Sequence, residues 1–472
     1  MRILLCDIPL PSESKFGPFR RLGSAFPPLN LLYLGTMARK HGHEVRITTD
    51  QETADQVADA IRQFRPELIG VTFMTLGVPR LRAFLEMIEQ AAPEAVVVTG
   101  GYHSSLFPEE ILREYPQVRA VFAGEAERTF PQFCDAAATG CLDEKSLARI
   151  PGICFRGLDG GIISTGPAPV IEDLDELPFP EFDLIPGFFE RFHPALNRHF
   201  LGAPQAFLLT GRGCSFDCRF CGRQVLGRMV RQNSAAYRIE LIRWCRETYG
   251  IRSIVFGDEI LTVNKAKTLE FCEAIQQAGL SKIRWCCSGR ANNMDLAFAR
   301  KLRAAGCVQI GYGCETGSQE ILDLLNKRIT VERMEQAIRD AHRGGLQIFG
   351  NFMLGCPGET PDTLEMTRRF IQRNPLDYVV LCYFTPLPGS YFWDERRYQE
   401  YGVLNTDDLT QFNLFAGMPF VPHGCTAEQI RHARSRIYRE FYLRPGRILG
   451  EWKNLFNVNS WRFVGRAIGL LH

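Results

Sequence analysis

Two successive runs of short aliphatic segments alternating with longer amphipathic ones, split by a proline-rich interval, constrain this chain more than any other feature. The first run places strand candidates at Arg2–Ile8, Glu44–Thr49, Leu68–Met74, Ala95–Thr99 and Val118–Ala123, with helical periodicity near 28–41, 53–65, 78–91 and 108–115. That alternation predicts an α/β domain over 1–141 built on a doubly wound parallel sheet. Between 142 and 205 the period lapses. Ile153–Ser164 reads as a hairpin with a glycine-rich turn, and Pro167, Pro169, Pro178, Pro180 and Pro186 mark an extended connector expected to strap two domains together. From Ala206 the alternation resumes, with strands at Phe207–Thr210, Ser253–Phe256, Ile283–Cys287, Val308–Tyr312, Ile348–Leu354 and Tyr378–Phe384. Six repeats over 206–390 fall short of the eight of a complete barrel, so a partial (β/α)6 TIM-type barrel is expected. The stretch 391–472 loses the alternation and is expected to be mostly helical, with an amphipathic candidate at Ala427–Tyr442.

Both layouts gather ligands at the carboxyl ends of their strands. After the first barrel strand comes Gly211-Arg-Gly-Cys-Ser-Phe-Asp-Cys-Arg-Phe-Cys-Gly222, which places Cys214, Cys218 and Cys221 within eight positions between glycines. Thiolates are soft ligands that select zinc, copper(I) or iron–sulfur clusters, and a cubane cluster held by three of them leaves one iron open. Zinc would need a fourth protein ligand, and three cysteines packed on a helix face would not be flanked by glycines. The other barrel strand ends deliver Asp258-Glu259, Ser288-Gly-Arg290, Gly313-Cys-Glu-Thr316, Gly355-Cys-Pro-Gly-Glu359 and Thr385-Pro-Leu-Pro-Gly389. Cys314 and Cys356 face the cavity by this reading. In the first domain the strand ends are Pro9-Leu-Pro-Ser12, Thr72-Phe-Met-Thr75, Gly100-Gly-Tyr-His-Ser-Ser105 and Gly124-Glu-Ala-Glu127. Small and hydroxyl residues there let a flat ligand approach the backbone, although generic loop chemistry explains part of the pattern.

Composition narrows the partners. Lys+Arg 55 against Asp+Glu 53 gives a net charge of +2, no electrostatic footprint for nucleic acid. Sixteen cysteines spread over 472 residues suit a reducing cytoplasm. The opening Met1-Arg-Ile-Leu-Leu-Cys-Asp-Ile-Pro is cut by Asp7 and Pro9, so it reads as a strand rather than a signal peptide. Nine basic residues over 430–472, interleaved with Trp452, Phe456, Trp461 and Phe463, suit either a helical cap on the barrel or peripheral membrane contact.

The arrangement Cys-x-x-x-Cys-x-aromatic-Cys, with Phe220 as the aromatic, resembles the signature of radical S-adenosylmethionine (SAM) enzymes. With Pro27-Pro-Leu-Asn30, the loops of the first domain look like the flavodoxin-like cobalamin-binding domain found ahead of many radical SAM barrels; Asn30 and Ala126 depart from that family's usual glycines. The resemblance implies a 4Fe-4S cluster on Cys214, Cys218 and Cys221 whose open iron takes SAM. Arg290 and Ser288 would then address ribose or carboxylate, Glu315 the amino or ribose groups, and Asp258 or Glu259 the methionine end. The backbone around Phe220 and Leu354–Gly355 would hold adenine, and Gly222 would also contact SAM. Cobalamin is implied at Pro11, Ser12, Thr72, Thr75, Gly100, Gly101, Tyr102, His103, Gly124 and Glu125. The cobalt-ligating text Asp-x-His-x-x-Gly is replaced by Asp7-Ile-Pro-Leu-Pro-Ser12, so His103 is a hydrogen-bond donor or loop residue before it is a ligand. The implied activity is methylation of an unactivated carbon or phosphinate phosphorus of a small-molecule or lipid-like substrate. An oxidase, cyclase or ring-contracting enzyme without net methyl transfer is the second reading, and a non-catalytic cobalamin or metal sensor the third. An electron donor such as flavodoxin or ferredoxin is the expected protein partner.

Overall fold

The computed structural model describes residues 1–11, 26–192, 201–222, 225 and 227–444. The first sheet carries β1 (Arg2–Asp7), β2 (Glu44–Thr48), β3 (Leu68–Thr72), β4 (Val96–Gly100) and β5 (Val118–Phe122), all parallel, in spatial order β2-β1-β3-β4-β5. Strands covered on both faces must be apolar at nearly every position, and β3, with all five residues buried, is the clearest case. Helices α1 (Leu29–Lys40), α2 (Ala54–Phe64) and α3 (Val78–Ala91) are among the crossovers. Thr53 opens α2 with a reciprocal capping box to Gln56.

The expected hairpin is present as β6 (Ile153–Arg156) and β7 (Ile162–Ser164), but it is not a free connector. β6 pairs antiparallel with β5, extending the first sheet to seven strands. The remaining connector does strap the domains. Arg39 of α1 pairs with Glu181 and Asp183, while Tyr237, on the other side, donates its hydroxyl to Leu177 O at 2.9 Å.

The second sheet has six parallel strands in order of sequence: β8 (Gln205–Leu208), then β11 (Ser253–Phe256), β12 (Arg284–Gly289), β13 (Cys307–Glu315), β14 (Gln347–Leu354) and β15 (Tyr378–Tyr383). A short ribbon of β9 (Gly211–Arg212) and β10 (Arg231–Gln232) lies between the first two. Helices follow the strands through β14, as the periodicity predicts, and Thr360-Pro361 forms the expected N-cap. A partial barrel leaves β15 as an edge. Here α4 (Ala427–Tyr442) covers it: Val379 N and Leu381 N donate to the hydroxyls of Tyr442 and Tyr438 at 3.1 and 2.9 Å. The amphipathic candidate is thus a cap on the barrel. The rest of the described C-terminal stretch is less helical than expected and includes a hairpin, β16 (Gly402–Leu404) with β17 (Phe420–Pro422). The aromatic basic tail beyond residue 444 lies outside the described residues. Among those described, no helix is long and apolar enough to cross a membrane.

Candidate active site

A cavity of about 670 Å³ lies between the carboxyl edge of the first sheet and the mouth of the partial barrel, lined from both domains. Asp7 and Thr72, at the ends of the adjacent strands β1 and β3, mark the switch point of the first sheet and both line it. The three loop cysteines line the opposite wall.

The cysteine loop is shaped by its backbone. Gly213 holds φ +82°, and a side chain there would strike the Met229 carbonyl. Cys221 N donates to Cys218 O at 3.2 Å, closing the turn, and Arg219 N and Asn326 Nδ2 tie the loop to the segment after β13 at 3.0 and 2.8 Å. Burial, followed by the charges of Cys218 and Cys214, pushes the Cys221 thiol up to about 11. Metal coordination relieves that crowding by binding the thiolates. All three thiols line one wall of the cavity, and as soft ligands they suit an iron–sulfur cluster.

On the barrel side Phe220, Gly222, Glu259, Ser288, Arg290 and Glu315 line the cavity. Burial raises the Glu259 carboxyl above its ordinary value. Asp258, its neighbour, does not line the cavity. Its buried carboxylate accepts from Thr210 N at 2.6 Å and Thr210 Oγ1 at 3.0 Å, so it anchors the base of the cysteine loop. Burial raises its pKa, with Arg238 opposing. Leu354 and Gly355 also lie off the cavity; Leu354 is fully buried and Gly355 N is held by the Glu359 carboxylate. Asn351 lines the wall in their place. Cys314 and Cys356 are fully buried and point away, because alternation along β13 sends Gly311, Gly313 and Glu315 to the cavity and Cys314 to the other face.

On the other side Thr72, Gly100, Gly101, Tyr102, Gly124 and Glu125 line the cavity. Gly101 holds φ +89° against the Thr72 hydroxyl, and Asn30 donates to that hydroxyl at 3.3 Å. A side chain at Gly70 would fill the floor, 2.8 Å from Leu5. The Glu125 carboxylate is committed elsewhere: Arg231 grips it at 2.6 and 2.8 Å, and Ile171 N donates to it at 3.1 Å. Thr75 and His103 pack behind the wall, 3.2 Å apart, with the imidazole between Phe73 and Phe107. Burial lowers His103 to about 4, keeping it neutral. It packs among these side chains, and no histidine lines the cavity among the described residues. Pro11 is exposed and off the cavity, and Ser12 lies outside the described residues.

Residues 19–134 match the model of the B12 binding domain, and residues 208–371 that of the radical SAM superfamily. An uncharacterized methyltransferase of Pyrococcus horikoshii is 31% identical over 480 residues, covering 100% of this chain and 98% of that protein. The chain belongs to the cobalamin-binding radical SAM enzymes. An anaerobic magnesium-protoporphyrin IX monomethyl ester cyclase of Cereibacter sphaeroides is 27% identical over 440 residues, 92% of this chain and 69% of that one. The fold matches the cobalamin-dependent SAM radical enzyme OxsB with a TM-score of 0.73 at 16% identity, over 100% of this chain and 72% of that chain. The cofactors of this cobalamin-binding radical SAM enzyme are a 4Fe-4S cluster, SAM and cobalamin.

Arg212 and Lys327 are among the lining residues of this radical SAM enzyme that escaped sequence reading. Arg212 sits inside the glycine loop, where a basic residue between two glycines was a usable signal. Lys327 follows a short helix, with no periodicity or strand end to mark it.

Proposed function

We propose that this chain is a cobalamin-dependent radical SAM methyltransferase acting on an unactivated carbon or phosphinate phosphorus of a small-molecule or lipid-like substrate. One observation carries the reading: the cysteine triad and the strand ends of the first sheet wall the same cavity. The cluster and SAM supply one-electron radical chemistry when bound, and cobalamin supplies methyl transfer.

Cys214, Cys218 and Cys221 would hold the cluster. Arg290 would steady it through Cys218, since its Nη1 lies 3.5 Å from Cys218 Sγ and its guanidinium 3.5 Å over the Phe216 ring. Glu315, Ser288 and Glu259 would orient SAM, beside Gly311 and Gly313, which leave room for it. Thr72, Gly100, Gly101, Tyr102 and Gly124 would seat the corrin, and the recess floored by Leu5, Gly70 and Val98 would exclude water from its far end.

An electron donor such as flavodoxin or ferredoxin completes the reading, and none of the sixteen cysteines is disulfide-bonded, in keeping with a cytoplasmic location. The likeness to the cyclase keeps a second reading, oxidation or cyclisation without methyl transfer. Anaerobic turnover with extracts of the source cell separates the two. Methyl transfer releases S-adenosylhomocysteine together with 5′-deoxyadenosine and a product heavier by one methylene. Release of 5′-deoxyadenosine alone, without a methylated product, refutes it.

A further inference from the structure

The cysteine loop has two sides. Cys214, Cys218 and Cys221 line the cavity, whereas Asp217, Arg219, Arg228 and Arg328 do not. On that outer side two arginines from separate segments converge on one carboxylate. Arg228 pairs with Asp217 and Arg328 lies 3.7 Å from it, the two arginine side chains being 66% and 61% exposed. Asp217 stands in the loop between Cys214 and Cys218, and its carbonyl accepts from Asn326 Nδ2 at 2.8 Å, which fastens the segment 326–328 to the loop.

Arg219 extends the positive face. Its Nη1 donates to Leu324 O at 3.2 Å and its guanidinium lies 4.8 Å from the centre of the Tyr391 ring; neither contact cancels its charge. Arg397 covers the same ring at 4.6 Å but pairs with Glu395 at 2.7 Å, so it adds no net charge. Tyr391 is exposed all the same, as is Met229 next to Arg228. Arg219, Arg228 and Arg328 against Asp217 leave these four side chains with two positive charges in excess, as large as the net charge of +2 carried by all 472 residues.

We infer that this outer face of the cysteine loop is the docking surface for a small acidic one-electron carrier protein of the flavodoxin kind. This rests on reading the three thiols as the ligands of a redox cluster. The cavity side of the loop belongs to SAM and cobalamin in that reading, which leaves the outer side as the approach open to a protein. Exposed arginine, tyrosine and methionine are residue types that interfaces favour, and a concentrated positive patch steers an acidic partner and speeds its encounter. One electron crosses: the donor's reduced flavin loses it, the cluster gains it, and no bond forms or breaks.

The test uses the full chain with its reconstituted cluster, kept anaerobic, and reduced flavodoxin as the probe. Cluster reduction is followed by stopped-flow absorbance, and complex formation by isothermal titration calorimetry. At low ionic strength Arg228→Glu with Arg328→Glu should slow reduction and weaken binding about tenfold or more, the scale of lost electrostatic steering. Added salt should slow the wild type and leave this variant nearly unchanged. Arg228→Lys with Arg328→Lys keeps both charges and should keep most of the rate. Reduced methyl viologen, a small cation that needs no docking surface, should give the wild type and the glutamate variant the same electron paramagnetic resonance signal of the reduced cluster. Equal rates with flavodoxin in those two proteins overturn the inference, and so does a wild type that viologen reduces but flavodoxin does not. Should the glutamate variant lose its cluster, Arg228→Gln with Arg328→Gln is read instead: a fall of about threefold or more supports the inference, and an unchanged rate overturns it. Failure of the wild type to assemble a cluster at all refutes the reading of the three thiols, and the inference with it.

Discussion

The hydroxyl of Tyr102, in the loop after β4, donates to the carbonyl of Pro388, in the loop after β15, at 2.8 Å, and so joins the two domains across the cavity rim. The same hydroxyl rests on Gly222, where any side chain would collide with it. Gly222→Ala should therefore push Tyr102 off Pro388 and disturb the adjacent Cys221. A cost of roughly 1–3 kcal/mol is expected, the scale of overpacking a fitted contact. Iron content per chain after anaerobic reconstitution should fall with it. Adding Tyr102→Ala removes the obstruction, so the double variant should bind more iron than Gly222→Ala alone. Equal iron in both would show that the glycine is not there for the tyrosine.

The second tie between domains is ionic. Glu125 and Glu127, after β5, face Arg212 and Arg231 of the β9–β10 ribbon, with Arg212–Glu127 and Arg231–Glu125 contacts of 2.6 Å and all four side chains at most 8% exposed. Removing one partner of such a group strands a charge out of water. Glu125→Ala should cost about 3–5 kcal/mol in denaturant unfolding. Glu125→Leu with Arg231→Met, which leaves neither member of that bidentate pair, should recover most of the loss. A double variant as unstable as the single would mean that the remaining Arg212 and Glu127 carry the interface.

Much of this architecture is legible in the chain because a strand covered on both faces must be apolar throughout, which fixes β1 to β5 and most barrel strands within a residue or two. Which way a strand-end side chain turns is harder to read. Asp258 and Glu259 are adjacent and alike, yet one anchors Thr210 and the other lines the cavity. For β13 the answer was available, since period-two alternation puts Cys314 opposite Gly313 and Glu315. Glycine-rich loops were legible as sites of close approach, but Glu125, Thr75 and His103 sit in those same loops and serve the interface or the packing. Lys327 depends on contacts between segments far apart in sequence, so no local pattern announces it.

The capped edge of the barrel gives a third prediction. Tyr442 bonds both Val379 N and Val379 O, at 3.1 and 2.9 Å, and Tyr438 accepts from Leu381 N at 2.9 Å, so two phenols one helical turn apart do the work of a missing strand. Tyr438→Phe and Tyr442→Phe should each cost roughly 1–3 kcal/mol, because a buried backbone group loses its partner while the ring stays in place. The amides of Leu381 and Val379 should exchange hydrogen faster in the respective variants. Unchanged exchange at those amides would refute the capping role.

Glu359 provides a pH signature remote from the cavity. It is fully buried, with one carboxyl oxygen accepting from Gly355 N and Cys356 N, the latter at 2.9 Å, and the other oxygen without a partner among the described residues. Burial pushes its pKa from 4.5 up to about 8, against the opposing pull of those two N–H groups. A carboxyl raised in this way holds its proton more tightly in the folded chain than in the unfolded one. Its contribution to stability is complete below about pH 4.5 and is lost as the pH rises through about 8. Glu359→Gln keeps an acceptor for both N–H groups and cannot ionise. Between these pH values the variant should lose less stability than the wild type by a few kcal/mol, on the order of 2–5, with its relative gain greatest at the alkaline end. Thermal melts across this window check the sign, and parallel curves for the two proteins would show that Glu359 is ionised in the folded chain at neutral pH.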